Sequence, residues 1–557
     1  MPALLVPFLA VTVAWSQPDV SQRLERLEFL LTQSTQGGYA RDGKCATPMI
    51  FQAVRNMSAL SAAGRAEVRQ ILQRPPTHLS RLSPSGNFRI HYDTSGTHQP
   101  AMLVGVARVS VSHEEFVDSV GSVFDQCWDA EIGTMGFDPP PPDKGEGGGN
   151  EYDVYIQALL SGTFGLTSFF AEDSLETGPR QRYPTYITID RDFLGERTPG
   201  LDGLRVTAAH EFHHAIQVGA YAVWENVPNS DFWFYELTSV WFEEAVFDDI
   251  NDYYYDVPLF FQGFKDNANR SLSFATSSPS GYERSVWALY LVKRFGRDVI
   301  RQIWEQMKAE PALFSMATVL ERHESGLPAA FAEFAVWNLF TAHRADPAFY
   351  YEEGGNFPVM GMNATAAFPG AMSSMSATAL PWSLQYYEFT LPGDTVVAAI
   401  SSVRYSQVYS GSTGPSAFDL VLSKEPGGGG TQRLENGLTM SFVTAFPEDW
   451  RTKYVSLVSR SDLRNQSPVG PNPLILSESP VLTLPVDGSS EGNAEVFLLT
   501  ASLDLAFSGR YQVVTTAGKS LVTVPGKDFS AHVSSGVHFV AVKTKEKEYT
   551  WKLVIIR

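Results

Sequence analysis

Three features of the sequence predict a multidomain chain: an α+β domain, with a β-sheet, a helix carrying the chemistry and a helical C-terminal subdomain, followed by two antiparallel β-sandwich domains. The first is length. A chain of 557 residues exceeds what one hydrophobic core organises. The second is a change of period. Residues 201–345 follow a helical spacing, whereas after about residue 370 apolar and polar residues alternate. The third is the stock of core material. Hydrophobic residues make up 44% and charged residues 18%, with 36 Phe, 22 Tyr and 11 Trp, which argues against a largely disordered chain.

Residues 3–15 are almost wholly apolar, too short to cross a bilayer, and Ala14-Trp15-Ser16 fits a small-x-small cleavage pattern. A signal peptide is predicted over 1–16, although a charged n-region is missing, and the product is expected to be secreted or held at the cell surface. Residues 17–85 read as helical: LERLEFLL and RAEVRQILQR carry apolar residues at helical spacing and stop before Pro75-Pro76. This segment is either a propeptide or a helical cap. The domain that follows, 86–345, opens with the strand-like runs FRIHY, YDVYIQALL and YPTYITI. Its loop DPPPPDKGEGGGN offers Asp138, Asp143 and Glu146, with Asp153 beyond, as ligands for a structural calcium ion. The spacing matches no rigid calcium loop, and a solvated surface loop is the alternative. A linker is expected over 346–369. Sandwich domains are expected over 370–465, from runs such as LQYYEFTL, TVVAAISSV, FDLVLS and KYVSLVS, and over 466–557.

The balance of 42 basic and 61 acidic residues gives a net charge of −19. Such a surface repels phosphate backbones and anionic lipid, so nucleic acid is not an expected partner. No later segment is long and apolar enough to span a membrane, and a monomer is expected. Cys45 and Cys127 are the two cysteines; they form one disulfide or remain buried thiols. Neither has the sequence neighbours of a thiol nucleophile or of a Cys-based metal site.

The chemistry concentrates in TAAHEFHHAIQ, residues 207–217. Leu204, Ala208, Phe212 and Ala215 mark an apolar stripe, so the segment is a helix with a buried face. His210 and His214 then lie one turn apart and can converge on one zinc ion. Glu211 cannot easily join that shell but can take a proton from water activated there. His213 is left as a residue supporting a ligand, facing substrate or lying on the rim. A third ligand is required. Glu236 supplies it from a second helix, in SDFWFYELTSVWFEEAVFDD, where a carboxylate among aromatic residues needs a partner. Glu243, two turns on, can accept a hydrogen bond from a ligand histidine; a solvated charge is the alternative. His323 and His343 read as structural or surface residues.

His210-Glu211-x-x-His214 followed by Trp233-Phe-Tyr-Glu236-Leu-Thr-Ser-Val-Trp241-Phe-Glu243 resembles the gluzincin pattern, in which a second helix carries the glutamate ligand. It departs in having Leu237 where Gly is frequent. SPSGNFRIHYDTSG, GGGNEYDVYIQAL, YITIDRDF and FDDINDYY extend the resemblance, over about residues 40–345, to the myxobacterial-type family of secreted metalloproteases. Tyr282 matches a Tyr-Gly position of that family, with Glu283 in place of Gly, and the gluzincin resemblance implies that it holds the oxyanion; a Tyr packed at a helix start is the alternative. The resemblance implies a zincin-like catalytic domain, a catalytic zinc and a polypeptide substrate. The tail, from Pro471-Asn472-Pro473 to GVHFVAVK and KLVIIR, resembles the sorting domain of the bacterial type IX secretion system, which implies export by the Sec pathway and then the type IX machinery. Two rivals remain: a non-catalytic surface protein whose β modules bind glycans or proteins, and a zinc hydrolase of non-protein substrates.

Overall fold

The computed structural model describes residues 22–27, 44–57, 60–170, 173–176, 178, 180–224, 231–262, 272, 281–367, 382–390, 395–401, 417–424, 429–435, 438–444, 452–460, 474–476, 481–486, 492–500, 505–516, 519–545 and 548–556. The predicted signal peptide lies outside them. The chain divides into two compact units, residues 1–363 with 425–428, and 364–424 with 429–557.

In the first unit, helices α1 (Thr47–Asn56) and α2 (Ala62–Ile71) precede a five-stranded sheet. Its strands are β1 (Leu79–Leu82), β2 (Phe88–Tyr92), β3 (Tyr152–Gln157), β4 (Gly165–Ser168) and β5 (Tyr186–Asp190), in the order β1-β2-β3-β5-β4. β2, β3 and β5 run parallel, with Phe88 opposite Tyr152 and Val154 opposite Ile187, while β1 and β4 are antiparallel edges. Every residue of β3 and β5 is buried, as strands covered on both faces require. Helix α3 (His113–Trp128) packs against β2 and against α4 (Gly200–Ile216), which in turn packs against α5 (Phe232–Val246). From Gly203 onward every residue of α4 but Arg205 is buried, as is α5 from Trp233 to Glu243. The single apolar stripe expected of α4 is therefore too narrow a reading; it is a core helix. Four longer helices follow, α6 (Ser285–Phe295), α7 (Val299–Met307), α8 (Ala312–Arg322) and α9 (Leu327–Trp337), after a short one at Val257–Phe261.

The N-terminal segment is woven into this unit. β1 pairs with β2, and Met49, Ile50 and Phe51 of α1 are buried, Phe51 meeting Phe169, Phe232 and Tyr235 edge-on. The expected linker also begins too early: Tyr351, Phe357 and Met360 are buried in the first unit, and the division falls at residue 364. The calcium expectation is replaced by an internal cation. Arg74 pairs with Asp143, Glu146 and Asp153, and Lys308 with Asp138, so each of those carboxylates has a cationic partner within the protein.

The second unit is built of mainly antiparallel sheets. β6 (Ala364–Ala367), β7 (Ser383–Thr390), β9 (Ala417–Lys424), β10 (Gly429–Glu435) and β12 (Thr452–Arg460) form one sheet, and β8 (Thr395–Ser401) pairs with β11 (Leu438–Thr444). A seven-stranded system runs β13 (Leu474–Ile475), β19 (Glu548–Ile556), β18 (Gly536–Lys543), β15 (Asn493–Thr500), β16 (Leu505–Thr516), β17 (Lys519–Pro525), β14 (Val481–Val486). β16 pairs with β15 through its first half and with β17 through its end, which folds the system around Leu484, Val496, Leu498, Val522, Val540 and Leu553. Both sheet systems belong to one compact unit, where the sequence suggested a division near 465.

Glu244, half-buried on α5, gives a stability prediction. Burial, then Glu353 and Asp248, push its carboxyl from 4.5 up to about 9. The folded chain thus keeps a proton that the unfolded chain gives up, so its contribution to stability is lost as pH rises from about 4.5 to about 9. Glu244→Gln is expected to melt a few degrees above the parent at pH 8 and level with it near pH 4.5. A difference that does not change with pH in calorimetry would rule this out.

Candidate metal centre

α4 and α5 lie side by side, and each presents its polar side chains to the seam between them. His210 and His214, one turn apart on α4, bring their Nε2 atoms within 3.1 Å of each other. Glu236 of α5 faces both: Oε2 lies 3.3 Å from His210 Nε2 and Oε1 lies 3.4 Å from His214 Nε2. The far nitrogens are held from behind. His210 Nδ1 meets Glu243 Oε1 at 2.7 Å. His214 Nδ1 meets Gln217 Oε1 at 2.8 Å and Ser239 Oγ at 3.2 Å.

These partners fix the tautomers. Glu243 can only accept, so His210 Nδ1 carries the hydrogen. The Gln217 amide donates to Tyr235 O, Thr238 Oγ1 and Ser239 Oγ, so its oxygen is the acceptor and His214 Nδ1 the donor. In neutral rings both Nε2 lone pairs then point at each other and at a carboxylate. Glu236 Oε2 is buried without a hydrogen-bond partner. Such a set of acceptors lacks a cation. Without a metal it draws in a proton: burial opposes charge on His210, but Glu236 and Glu243 raise it to about 9. Burial likewise opposes ionisation of Glu236, yet His214 and His210 hold it down to about 2. Two imidazoles and one carboxylate match the donor set of a catalytic zinc site, and the residues fit that ion.

Cys45 joins the cluster. One ligand atom each from Cys45, His210, His214 and Glu236 all lie within 4.8 Å of one another. Both cysteines are free and buried, so of the two readings it is the buried thiols that hold, and Cys45 has metal-ligating neighbours after all. They come from more than a hundred residues away and leave no local signal.

Glu211 follows His210 on α4. Its Oε2 accepts from Thr47 Oγ1 at 3.0 Å and from Thr167 Oγ1 at 2.8 Å. Bare α-carbons sit against both glutamates. A Cβ at Gly165 would lie 2.8 Å from Glu211 Cγ, and one at Gly281 would lie 2.4 Å from Glu236 Cβ and 2.9 Å from Trp233 O. Tyr282 is buried at the site; its ring centroid is 5.7 Å from that of His210 and its hydroxyl accepts from Cys45 N–H at 3.2 Å. His213 points elsewhere. It pairs with Glu131 at 2.9 Å, stacks on Phe242, and lies in an aromatic core, which corrects its expected place beside the metal or substrate. The cause is helical rotation: on an α-helix position 213 lies about 60° to one side of 210 and 214 about 40° to the other, so about 100° separate the two.

Behind Glu243 lies a buried ion network. Lys44 Nζ donates to Glu243 and to Asp252, and Arg197 reaches Asp252 at 2.8 Å and Asp256 at 2.7 Å. Burial would raise Asp252, but Lys44 and Arg197 hold it well below the usual carboxylate range. Lys44, Thr47 and Thr167 carried no sequence signal. Gln217 did: an amide one turn beyond a ligand histidine, in a buried stretch. Because Glu243 fixes the His210 ring, Glu243→Gln is expected to weaken zinc binding by about 10–100-fold, read by competition with a chromophoric chelator. Unchanged affinity would make Glu243 a partner of Lys44 only.

No family model and no curated protein matches the chain. Among solved structures it is similar to β-glucuronidase from Ruminococcus gnavus. The enzyme without a named ligand matches at 11% identity over 31% of this chain and 35% of that one, TM-score 0.11. Its complexes match at 10% identity with uronic isofagomine and 11% with D-glucaro 1,5-lactone, over 31% of this chain and 34% and 36% of theirs, each with a TM-score of 0.11. The chain thus spans about a third of the length of those glucuronidases, and at such scores the likeness carries no argument.

Proposed function

We propose that the chain is an exported zinc peptidase that hydrolyses peptide bonds with Glu211 as general base. The supporting observation is the convergence of His210 Nε2, His214 Nε2 and Glu236, with Oε2 of Glu236 buried and unpartnered beside a carboxylate that belongs to none of these pairings. Zinc bound there supplies Lewis acidity toward a carbonyl oxygen and toward water. The protein's own part is positional. Glu243, Gln217 and Ser239 orient the two imidazoles, and Thr47 and Thr167 fix one oxygen of Glu211. Glu211 takes the proton of the attacking water and hands it to the departing amine. Tyr282, with its hydroxyl at the edge of the cluster, is the candidate to donate to the developing oxyanion.

Export is part of the proposal. It rests on the apolar N-terminal stretch and on the C-terminal β unit, read as a type IX sorting domain. Among the described residues, no helix is long and apolar enough to cross a membrane. The test is metal analysis with a broad peptide library, using the full-length chain and Cys45→Ala, which clears the fourth position of the cluster. A single zinc ion and cleaved peptides are expected. Zinc without cleavage by either form overturns the peptidase reading and directs the search to other hydrolysable bonds. Absence of zinc overturns the metal centre.

A further inference from the structure

Four consecutive residues, Lys44 to Thr47, touch almost every group the proposed reaction uses. Lys44 holds Glu243, the partner of His210. Cys45 places its sulfur within 4.8 Å of the ligand atoms of His210, His214 and Glu236, and its N–H occupies the Tyr282 hydroxyl. Thr47 binds Glu211. The segment lies along β4, an edge strand of the sheet: Phe164 N–H donates to Lys44 O at 2.7 Å, Ala46 N–H to Gly165 O at 3.0 Å, and Thr167 N–H to Thr47 Oγ1 at 2.8 Å. An extended peptide adding to an exposed sheet edge makes bonds of this kind.

Three protein ligands would leave a zinc site open for water; four close it. With Cys45 counted, the donor set is one thiolate, two imidazoles and one carboxylate, the composition of a closed site. The burial agrees. Cys45 is 5% exposed, Glu236 2%, His210 and Glu211 1%, and His214 0%, so neither water nor a peptide carbonyl reaches the centre in this conformation. The unpartnered Glu236 Oε2 faces the same space.

We propose that Cys45 is the fourth metal ligand and that the described conformation is a latent form of the enzyme, a reading that rests on the zinc centre proposed above. Ligation forms an Sγ–metal bond and releases the thiol proton to solvent. Opening breaks that bond, returns a proton from solvent to Sγ, and leaves the fourth position to water. Activation does not require removal of the segment: its last residue, Thr47, opens α1, whose Met49, Ile50 and Phe51 are part of the core. Departure of one side chain suffices.

Cobalt(II) substitution tests the ligation without any assay of activity. The full-length cobalt form is expected to show a strong near-ultraviolet thiolate-to-cobalt charge-transfer band. Cys45→Ala and Cys45→Ser are expected to lose the band while still binding the metal. Turnover of a peptide library by the zinc forms of both variants should exceed the parent's by about 10–100-fold, as expected when a state populated at 1–10% becomes dominant. Bound cobalt without the band in the parent overturns the inference and leaves the zinc centre standing. A band in the parent with no gain in turnover for either variant overturns latency and makes Cys45 a permanent structural ligand. Failure of the parent to bind cobalt or zinc at all overturns the centre itself. The parent's spectrum decides ligation even if neither variant folds.

Discussion

Glu211→Gln, made in the Cys45→Ala chain, is expected to lower kcat/KM by about 10²–10⁴-fold, the range of a general base, with zinc content unchanged. The amide is nearly isosteric and can still accept from Thr47 and Thr167, so the threonine contacts and the packing against Gly165 survive. Only proton acceptance is lost. Steady-state kinetics with parallel metal analysis separates the two effects. A variant that loses zinc along with activity would make Glu211 a structural or ligating group, and one that keeps full activity would put the base elsewhere.

The second large effect concerns stability. Lys44→Met leaves Glu243 and Asp252 facing each other across a dry site, with Arg197 answering only Asp252 and Asp256. Removing one partner of a buried ion pair typically costs about 3–5 kcal/mol, since the remaining charge stays uncompensated. Chemical denaturation of the Lys44→Met chain should show a loss of that order. Adding Asp252→Asn should recover part of it, because the repulsion between the two carboxylates is then gone. If the double variant is no more stable than the single one, Lys44 matters for packing rather than for charge.

Much of the site was legible from spacing, and the reason is local. His210 and His214 share a helical turn, and Glu236 and Glu243 share a face of α5, so helical geometry alone aligns each pair. The three sheet strands FRIHY, YDVYIQ and YITID were legible because β-branched and aromatic residues crowd them. Contacts that close over long stretches of chain were not. Cys45 and Lys44 reach the centre only because their segment docks on the edge of the sheet, which no periodicity reports. His213 misled because it sits beside a ligand in sequence, while the helix turns it toward Glu131. The partner of the loop's carboxylates was hidden for a related reason: the acids were visible, but the guanidinium that answers three of them comes from Arg74, in a different part of the chain.

The two bare α-carbons beneath the glutamates carry a consequence for how this centre tolerates change. Elsewhere in the core a larger side chain can be absorbed by neighbours that shift a little. At Gly165 the nearest atoms belong to the side chains of Glu211 and Thr207, and at Gly281 to Glu236 and the backbone of its helix. A single added methyl group is therefore converted directly into displacement of Glu211 or Glu236. The spacing between base and ligand is set by atoms that are missing, and these two positions have the least room for variation in the chain's surroundings of the metal, although neither has a side chain that could take part in the chemistry.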